Sequence, residues 1–570
     1  MKNFPMTVFS VAGCVVAAVS VAWGKDIILE PGTYEYPDGL VLGPADSGTR
    51  YIASGKGEVR FTRSIAAKPG QKVACSVPAA PDAENFGSTR AHAPMFFYDH
   101  RWAVNARWPN EGWARYTKAA GKKGFVFDST RPSRWNFEEG VYLAGYFAYD
   151  WAFEHLRAEG FDATPSNGVM RTRCEAQYGF STGVWGAEKG RRFYAYNVRA
   201  ELDAPGEYYY DRKTGKVDFI APAGGIKEFR AAVSEGPIVR IEGAKDVEFR
   251  GIVFEYAVGD GLSFAHCTNC VVANCQVKNV GGHGIVLRGG KNCRVTGTLV
   301  DTTGLTSLDI DAGDRWSLTR ADHVVQNCEL TRFGTVRRTY APGVLLRGVG
   351  TSLVGNRFHE APHSAVIYGG NEHLLASNEA WRVLLETGDA GVFYSGRDPL
   401  SRGNVLAYNY IHDIGRPEDT FACTMAFYLD DCDAGDTIVS NRVVNVARGL
   451  MLGGGQDNHI IGNVFEGCRI GLSIDARGVT WKDHWDNPKD PSWQMTRKVK
   501  EMKVDREPWR SKYPNLLTYL SGNPREPRHV SVVGNVFKGC EKTIVIEYSA
   551  KPYEKLLDIR DNSCCNSMEN

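Results

Sequence analysis

Residues 437–467 have the sequence TIVSNRVVNVARGLMLGGGQDNHIIGNVFEG. A short apolar segment leads to Asn441, a glycine-containing segment follows, and a second apolar segment leads to Asn463, 22 residues later. The same pattern recurs from about residue 245 onward, and insertions of roughly 7–10 residues lengthen some of the intervals. The asparagines that mark the pattern are Asn274, Asn327, Asn356, Asn378, Asn409, Asn441, Asn463 and Asn535.

This repeat predicts an all-β chain wound into a right-handed parallel β-helix, a solenoid of short strands and turns. One coil of about 22 residues is too small to bury its apolar side chains alone, whereas stacked coils share a continuous core. Asparagine at a fixed turn position can stack from coil to coil, because its side-chain amide pairs with backbone groups of the turn. We therefore interpret the repeated asparagines as a structural ladder and not as ligands.

The second strand of each coil aligns between neighbouring coils, and alternate residues along a strand point inward and outward. The alignment predicts a first inward row of Val366, Val392, Phe427, Leu450 and Leu472. A second inward row contains Tyr368, Tyr394, Leu429, Leu452 and Ile474. The outward row contains Gly369, Ser395, Asp430, Gly453 and Asp475. Small residues beside acids on an outer face leave room for a ligand.

Changes in composition along the chain predict its domain organisation. The predicted parts are a signal peptide at 1–24, opening strands and a cap at 25–75, an inserted β-rich subdomain at 76–224, and the β-helix at 225–565 with an insertion at 478–528. Within the subdomain, segments 208–210 and 217–220 flank a Lys-Thr-Gly turn and predict a hairpin. Within the insertion, a helix is expected near Met495 to Met502.

The N-terminus has the features of a secretory signal. Lys2 supplies the positive charge, residues 8–21 are apolar, and Ala22-Trp23-Gly24 resembles a cleavage site. The prediction is export to the periplasm or the medium. The alternative is a lipoprotein attached through Cys14, but the apolar run continues past this cysteine to Ala22.

The bulk composition excludes several partner classes. The chain has 570 residues, with 67 basic and 66 acidic side chains and a formal net charge of +1, so no nucleic-acid partner is expected. No segment after the signal is apolar over the length of a membrane span. The chain has 14 cysteines, and those that recur at equivalent positions of the coils fit a place in the core. The Cys267-Thr-Asn-Cys270 motif stands alone, without the second pair of cysteines that a zinc site of this type needs.

Acidic residues cluster in two neighbouring coils. The first is ETGDAGVFYSGRD at 386–398 and the second is AFYLDDCDAGD at 426–436. Glycoside hydrolysis uses two carboxyl groups on either side of the cleaved bond, and Asp389 and Asp430 are the predicted pair. Two alternatives remain open at this stage. Asp431, Asp433 and Asp436 have the oxygen ligands of a structural calcium site, and Asp398 can pair with Arg397 in a turn.

Further residues on the same face are expected to bind the substrate. His363 begins a coil strand at the position of Asp389, and Asp475 and Arg477 share the outer row with Asp430. The predicted substrate-binding residues are Glu386, His363, Arg397, Asp431, Asp475, Arg477 and Trp481.

A set of motifs resembles the secreted bacterial β-helix proteins of glycoside hydrolase family 141. It includes RTYAPGVLLRGVG, HEAPHSAVIYGGNEHLLASNEA, ETGDAGVFYSGRD, FYLDDCDAG, LGGGQDN and DARGVTW, in this order, and the likeness spans roughly 90–560. The resemblance implies α-L-fucosidase activity, with xylanase activity also attributed to the family. It also implies a catalytic pair of aspartates in the DAG and YLDD segments, which are Asp389 and Asp430 here.

The leading expectation is an exported glycoside hydrolase that cleaves a complex glycan, with α-L-fucosidase as its activity. The alternatives are a polysaccharide lyase on the same scaffold, an endo-xylanase, and a non-catalytic glycan-binding protein. The expected partner is an oligo- or polysaccharide. The mechanism requires no cofactor or metal, and the calcium alternative above is structural. Sequence leaves open the sugar, the oligomeric state and a retaining or inverting outcome.

Overall fold

The computed structural model describes residues 24–75, 83–84, 94–180, 191–415 and 423–565. The predicted signal peptide and Cys14 lie outside the described residues, so export stays a prediction. Within the described part of the chain, no helix has the length and apolar character needed to cross a membrane.

Three long parallel sheets wind around one core and confirm the predicted parallel β-helix. Each complete coil contributes one strand to each sheet, here named sheets I, II and III in the order in which the chain visits them. The 13 strands of sheet I are Lys25–Leu29, Thr49–Ala53, Glu248–Arg250, Val271–Ala273, Arg294–Thr296, Val324–Gln326, Ser352–Val354, Leu374–Ala376, Val405–Ala407, Thr437–Val439, His459–Ile461, Val530–Val533 and Leu557–Arg560.

Sheet II follows sheet I after a short turn that contains the ladder position. Its 13 strands are Gly32–Glu35, Val59–Thr62, Val253–Ala257, Gln276–Val280, Leu299–Thr303, Glu329–Thr331, Arg357–His359, Glu379–Trp381, Tyr410–His412, Arg442–Val444, Val464–Glu466, Val536–Lys538 and Ser563–Cys565.

Sheet III completes each coil and carries the predicted catalytic segments. Its 12 strands are Leu40–Leu42, Val239–Glu242, Leu262–Ala265, Ile285–Arg288, Leu308–Ala312, Val344–Gly348, Val366–Tyr368, Ala390–Gly396, Thr424–Asp430, Arg448–Gly453, Ile470–Asp475 and Lys542–Ile546.

The asparagine ladder is confirmed from residue 356 onward. The Asn409 amide donates to Asn441 Oδ1 at 2.9 Å and to the Leu375 carbonyl at 2.9 Å, and its own Oδ1 accepts from Asn378. The ladder comprises Asn356, Asn378, Asn409, Asn441, Asn463, Asn535 and Asn562.

Asn274 and Asn327 do not belong to the ladder. Cys328 occupies the ladder position in its coil, because its backbone N–H donates to Asn356 Oδ1. The two asparagines lie one residue earlier, with φ of 53° each. Asparagine tolerates this left-handed conformation better than most residues, so the sequence pattern placed two turn residues in the ladder. Five cysteines, including Cys328, lie in the core of the early coils as free thiols.

The predicted register of strand Ala390–Gly396 is wrong by one residue. Phe393, not Val392, pairs with Val366 and Phe427, and Gly396, not Ser395, pairs with Asp430. Ser395 therefore points inward and Tyr394 outward. Three successive apolar residues, 392–394, do not by themselves identify the buried face, and a slip of one residue exchanges the faces of a whole strand.

A β-rich subdomain is inserted within the second coil, between its strands in sheets II and III. The chain leaves the coils after Val59–Thr62 and returns at Val239–Glu242, and Glu207–Asp211 pairs antiparallel with Lys216–Phe219 as the predicted hairpin. The subdomain strands are Ile65–Ala66, Ala83–Glu84, Met95–Tyr98, Arg101–Trp102, Val104–Asn105, Arg107–Trp108, Ala114–Arg115, Lys118–Ala119, Gly124–Phe127, Tyr142–Tyr146, Phe153–Ala163, Gly168–Thr172, Arg192–Tyr196, Glu207–Asp211, Lys216–Phe219 and Phe229–Ala232.

The insertion between the last coils is helical, as its sequence predicts near Met495. It packs a small core of its own, including Trp485, Trp493 and Trp509, against Leu318 and Leu400 of the coils. The α-helices are Arg477–Thr480, Met495–Met502 and Trp509–Lys512, and the 3₁₀ helices of the chain are Pro44–Asp46, Arg131–Arg134, Phe137–Glu139, Arg199–Glu201, Pro514–Leu517 and Lys551–Leu556.

Candidate active site

The candidate site lies on the outer face of sheet III, across strands Ala390–Gly396, Thr424–Asp430 and Ile470–Asp475. Tyr394 and Tyr428 pair in register and both point outward, with ring centroids 5.5 Å apart. Since residues i and i+2 of a strand share a face, Asp430 extends the row begun by Tyr428. These outward side chains form the floor of the site.

Asp430 is buried at the floor, and its carboxylate accepts three hydrogen bonds. Tyr394 donates its hydroxyl to Oδ2 at 3.0 Å, and the backbone N–H of Asp431 donates to Oδ1 at 2.8 Å. Arg477 Nη1 also donates to Oδ1 in a short contact. The carboxyl group is therefore held in one orientation while 8% of the residue stays exposed.

Asp389 precedes its strand in a left-handed conformation, with φ of 51°, and keeps an exposed surface. Its Oδ1 accepts a hydrogen bond of 3.0 Å from the Tyr428 hydroxyl. The side chain is thus fixed at one end and open to solvent at the other. That arrangement suits a carboxylate that must reach a water molecule or a sugar carbon.

A short chain of contacts joins the two aspartates. From Asp389, the chain runs through the Tyr428 hydroxyl to Arg477 Nη1, which lies 3.2 Å from that hydroxyl and contacts Asp430. Each of the three contacts has hydrogen-bond length, so the facing carboxylate oxygens lie at most about 9 Å apart. The structure therefore brings the predicted catalytic pair together.

Burial and like charges raise the pKa values of both aspartates. Burial raises the pKa of Asp430 to about 8, the Asp431 carboxylate adds to the rise, and Arg477 opposes it. Burial also raises the pKa of Asp389, because crowding by protein groups replaces part of its hydration although the residue borders solvent, and the Tyr428 hydrogen bond opposes the rise. At neutral pH, Asp430 is the carboxyl group better able to donate a proton.

Arg477 connects three of the predicted residues. It is 6% exposed, pairs with Asp475 at 2.7 Å, and contacts Asp431 Oδ1 at 3.3 Å in addition to Asp430. Its guanidinium group also lies 4.9 Å from the ring centroid of Trp481, which is 44% exposed. The structure thus places Asp475, Arg477 and Trp481 along one side of the carboxylate pair.

Arg397 and Asp431 form the next contact of the floor. Arg397 Nε donates to Asp431 Oδ2 at 2.6 Å, and Arg397 Nη1 donates to Ser492 Oγ at 3.2 Å. Lys498 donates to the Arg397 carbonyl. The insertion that carries Ser492 and Lys498 is therefore attached to the floor through Arg397. The turn partner proposed for Asp398 is different, because Asp398 pairs with Arg315 at 2.8 Å.

Glu386 supports the site from the side of the subdomain. Arg338 binds both of its carboxylate oxygens, at 2.6 and 2.5 Å, and Tyr146 donates to Oε2 at 3.2 Å. Burial disfavours the Glu386 carboxylate, but the charge and hydrogen bonds of Arg338, the charge of Arg192 and the Tyr146 hydrogen bond together lower its pKa. Both oxygens are thus occupied by protein donors, so the structure favours a positioning role over direct contact with a sugar.

His363 lies beneath the site and does not reach its surface. It is 3% exposed, its Nδ1 lies 3.1 Å from Thr387 Oγ1, and burial lowers its pKa to about 3. Its ring packs 5.2 Å from Tyr340. The side chain is therefore neutral and supports Tyr340.

Tyr340 and Tyr428 are site residues that the sequence did not single out. Burial raises the pKa of the Tyr340 hydroxyl, Arg397 opposes the rise, and the carboxylates of Asp389 and Asp430 add to it, so this hydroxyl lies near the predicted pair. Alternation along strand Thr424–Asp430 would have identified Tyr428, two residues before Asp430. Tyr340 comes from a bend that precedes Asp389 by 49 residues and Asp430 by 90, and among the sequence patterns only the motif RTYAPG contains it.

The three aspartates considered for calcium do not converge on one point. Asp431 binds two arginines at the floor, whereas Asp433 and Asp436 are fully buried. Tyr368 and Asn404 donate to Asp436, and Ser395 donates to Asp433. Among the residues that the structure describes, no group of three or more His, Cys, Asp or Glu side chains has the arrangement of a metal site.

A cavity of about 250 Å³ lies in the subdomain, away from the carboxylate pair. Glu139, Asn197, Tyr209 and Arg157 are among its lining residues, and none of the residues of the sheet III site lines it. The carboxylate pair instead lies on an open face between two walls, the subdomain and the insertion.

Comparison with known proteins shows similarity at the level of the fold. No family model matches the chain, and a search of curated proteins found no match. A solved structure named "Glycoside hydrolase" aligns with a TM-score of 0.62 and 15% identity, over 78% of this chain and 90% of its own.

Two further solved structures are more distant. The complex of XylC with xylose aligns with a TM-score of 0.40 and 8% identity, over 96% of this chain and 81% of its own. A family PL6 polysaccharide lyase from Pseudopedobacter saltans aligns with a TM-score of 0.34 and 13% identity, over 59% of this chain and 78% of its own. The similarity to the first structure establishes a shared β-helix fold.

Proposed function

We propose that this protein is a glycoside hydrolase whose catalytic pair is Asp389 and Asp430. The observation that carries the proposal is the chain of contacts from Asp389 through Tyr428 and Arg477 to Asp430. It holds two carboxyl groups of different exposure within one open site. Two carboxyl groups so placed meet the requirement for acid-assisted cleavage of a glycosidic bond.

The environments of the two groups suggest separate roles. Asp430, with its raised pKa, would protonate the glycosidic oxygen as the bond to the leaving sugar breaks. Asp389, which borders solvent, would act on the anomeric carbon directly or take a proton from the attacking water. Retaining enzymes separate the two groups by about 5 Å and inverting enzymes by about 6.5–9.5 Å, and the upper limit of about 9 Å set by the contacts allows the first distance and most of the second range.

The narrower proposal is an α-L-fucosidase related to glycoside hydrolase family 141. It is supported by the order of the motifs from 90 to 560 and by the position of the two family aspartates in one site. The solved structure of the same fold that is named a glycoside hydrolase agrees with the wider class. Export is proposed from the N-terminal signal pattern, and N-terminal sequencing of protein from the periplasm or medium tests it.

The test compares wild-type protein with Asp389→Asn and Asp430→Asn on nitrophenyl α-L-fucoside, xyloside and galactoside and on fucosylated polysaccharides. Each substitution keeps the shape of the side chain, and we expect kcat/KM to fall on the order of 100- to 10,000-fold. Asp558→Asn, in the last coil, is the matched control and should retain full activity. Unfolding curves of all variants check that each is folded.

The two roles are separated with a leaving group that needs no proton. On a dinitrophenyl glycoside, Asp430→Asn should recover most of its activity, whereas Asp389→Asn should stay inactive. Full activity of both variants on every substrate would falsify the assignment of the pair. An unsaturated product that absorbs in the ultraviolet would instead identify a polysaccharide lyase.

A further inference from the structure

Three aromatic side chains of the subdomain form a platform beside the catalytic pair. The rings of Tyr149 and Trp151 stack at 4.9 Å with an interplanar angle of 8°. Tyr178 packs edge-on against both, at 5.3 and 4.9 Å, and is 39% exposed. Tyr149 and Trp151 are half-buried. Together these three side chains form the aromatic platform.

The platform is attached to the segment that carries Asp389. Asp150, which lies between Tyr149 and Trp151 in the sequence, forms a buried ion pair of 3.2 Å with Arg192. Arg192 in turn donates to the Glu386 carbonyl, three residues before Asp389. A side chain at Gly388 would lie only 3.6 Å from the Asp150 Cβ atom, so the platform loop packs directly against the residue before Asp389.

The Tyr178 hydroxyl lies within electrostatic range of the floor of the site. Burial raises the pKa of the Tyr178 hydroxyl, and the charge of Arg397, a floor residue, opposes the rise. Tyr178 also raises the pKa of the Tyr340 hydroxyl, which lies near Asp389 and Asp430. These electrostatic couplings place Tyr178 near the carboxylate pair without making it part of the pair.

Aromatic faces of this kind bind the C–H surface of a sugar ring. Large, rigid aromatic side chains lose little conformational entropy when a ligand binds. Stacking removes water from the apolar face of the sugar and requires no charge on the ligand. The platform meets these requirements beside the segment that carries Asp389, and the exposed Trp481 lies beside Arg477.

We propose that Tyr149, Trp151 and Tyr178 form a binding subsite for the sugar unit next to the one whose bond is cleaved. The inference rests on the proposed function and narrows it, because the preferred substrate is then an oligo- or polysaccharide and not a single sugar with a small aglycone. The subdomain thereby contributes to specificity, although both catalytic aspartates come from the coils.

The test measures kcat/KM on two substrates, nitrophenyl α-L-fucoside and fucosyllactose, for wild type, Trp151→Ala, Tyr178→Ala and Trp151→Phe. If a different glycoside is the substrate in the panel above, its aryl and oligosaccharide forms replace these two. Loss of one stacking contact should lower kcat/KM on the oligosaccharide roughly tenfold and leave the aryl glycoside within about twofold. Trp151→Phe, which keeps a ring, should recover most of the loss.

A binding measurement checks the same subsite without turnover. In the Asp389→Asn background, calorimetry should show weaker oligosaccharide binding by the platform variants and unchanged binding by Tyr548→Ala, an exposed tyrosine of the last coil. If wild type cleaves the oligosaccharide and the Ala variants match it, or lose both substrates equally, the subsite is wrong and the proposed function stands. If wild type neither cleaves nor binds any glycan of the panel, both proposals fail.

Discussion

The Tyr428 hydroxyl group links the two proposed catalytic residues, because it contacts Asp389 directly and Asp430 through Arg477. It donates to Asp389 Oδ1 at 3.0 Å and lies 3.2 Å from Arg477 Nη1, which holds Asp430. The hydrogen bond favours the ionised form of Asp389 and so opposes the rise in its pKa. Tyr428 therefore helps to set the pKa of the carboxyl group that the proposed mechanism uses in its ionised form.

The pH profile of Tyr428→Phe follows from this contact. Without the hydroxyl, the pKa of Asp389 rises further, the base is protonated over a wider range, and the acidic limb of kcat/KM moves to higher pH. The alkaline limb reports loss of the proton from Asp430, whose pKa is about 8, and should move less. Profiles of wild type and variant from pH 4 to 10 provide the measurement. An acidic limb that does not move would contradict the role of Tyr428.

At the scale of the coil, the asparagine ladder replaces backbone pairing at the turn between sheets I and II. Asn409 is 1% exposed, and its amide uses both donor and acceptor groups in contacts with Leu375, Asn378 and Asn441. Because the turn is buried, each of these groups would otherwise lack a partner.

Asn409→Ala is expected to destabilise the protein by roughly 3 kcal/mol, since it leaves a buried carbonyl and a buried N–H unpaired. Asn274→Gly is the matched control. Asn274 is exposed, has φ of 53° and lies outside the ladder, so glycine keeps its backbone conformation. Guanidinium unfolding of both variants measures the difference. Equal losses would mean that the ladder contributes no more than an ordinary turn.

The turn after Thr424–Asp430 contains two buried carboxyl groups, those of Asp433 and Asp436, which lie close enough to interact. Asp433 is fully buried, its Oδ1 accepts from Ser395 at 2.6 Å, and no described residue donates to its Oδ2. Burial raises the pKa of Asp433 far above its usual range, and the charge of Asp436 adds to the rise. Asp433 therefore stays protonated at neutral pH.

Asp433→Asn tests this arrangement. A raised native pKa contributes stability that is complete below the unfolded value, about 4, and declines by about 1.4 kcal/mol per pH unit above it. The amide of asparagine carries no titrating proton, so the variant should gain stability relative to wild type between pH 5 and pH 8. Urea unfolding at the two pH values gives the comparison. The same difference at both pH values would show that Asp433 is ionised in the native protein.

For the molecule as a whole, the contact between subdomain and β-helix completes the site. His155 is 5% exposed and lies in this contact, with Nδ1 2.8 Å from the Tyr196 hydroxyl and Nε2 3.1 Å from the Val336 carbonyl. The ion pair of Arg338 and Glu386 belongs to the same contact, as does the hydrogen bond from Tyr146. Separation of the two parts would remove the aromatic platform from the carboxylates.

Acid is expected to weaken this contact. Burial lowers the pKa of His155 from 6.5 to about 4, so its contribution is complete above pH 6.5 and is lost as pH falls toward 4. The loss is on the order of 3 kcal/mol. Hydrogen exchange of residues 142–146 and 192–196 at pH 7 and pH 4.5 measures it. His155→Gln, which cannot gain the charge, should be weaker at pH 7 but lose less on acidification. Identical acid sensitivity in both proteins would exclude His155 as its source.

The repeat alone determined the β-helix, most of the ladder and the neighbouring coils that carry Asp389 and Asp430, because coil spacing is a local property and stacking at about 4.8 Å brings equivalent positions together. Tertiary structure alone decided the register of Ala390–Gly396, the buried place of His363 and the occupied carboxylate of Glu386.

It also decided the wall of the site. Tyr146 meets Glu386 across 240 residues of sequence, and Asp150 meets Gly388 across a similar distance. Such contacts depend on how a non-repeating subdomain packs against the coils, and no periodicity in the sequence encodes that packing.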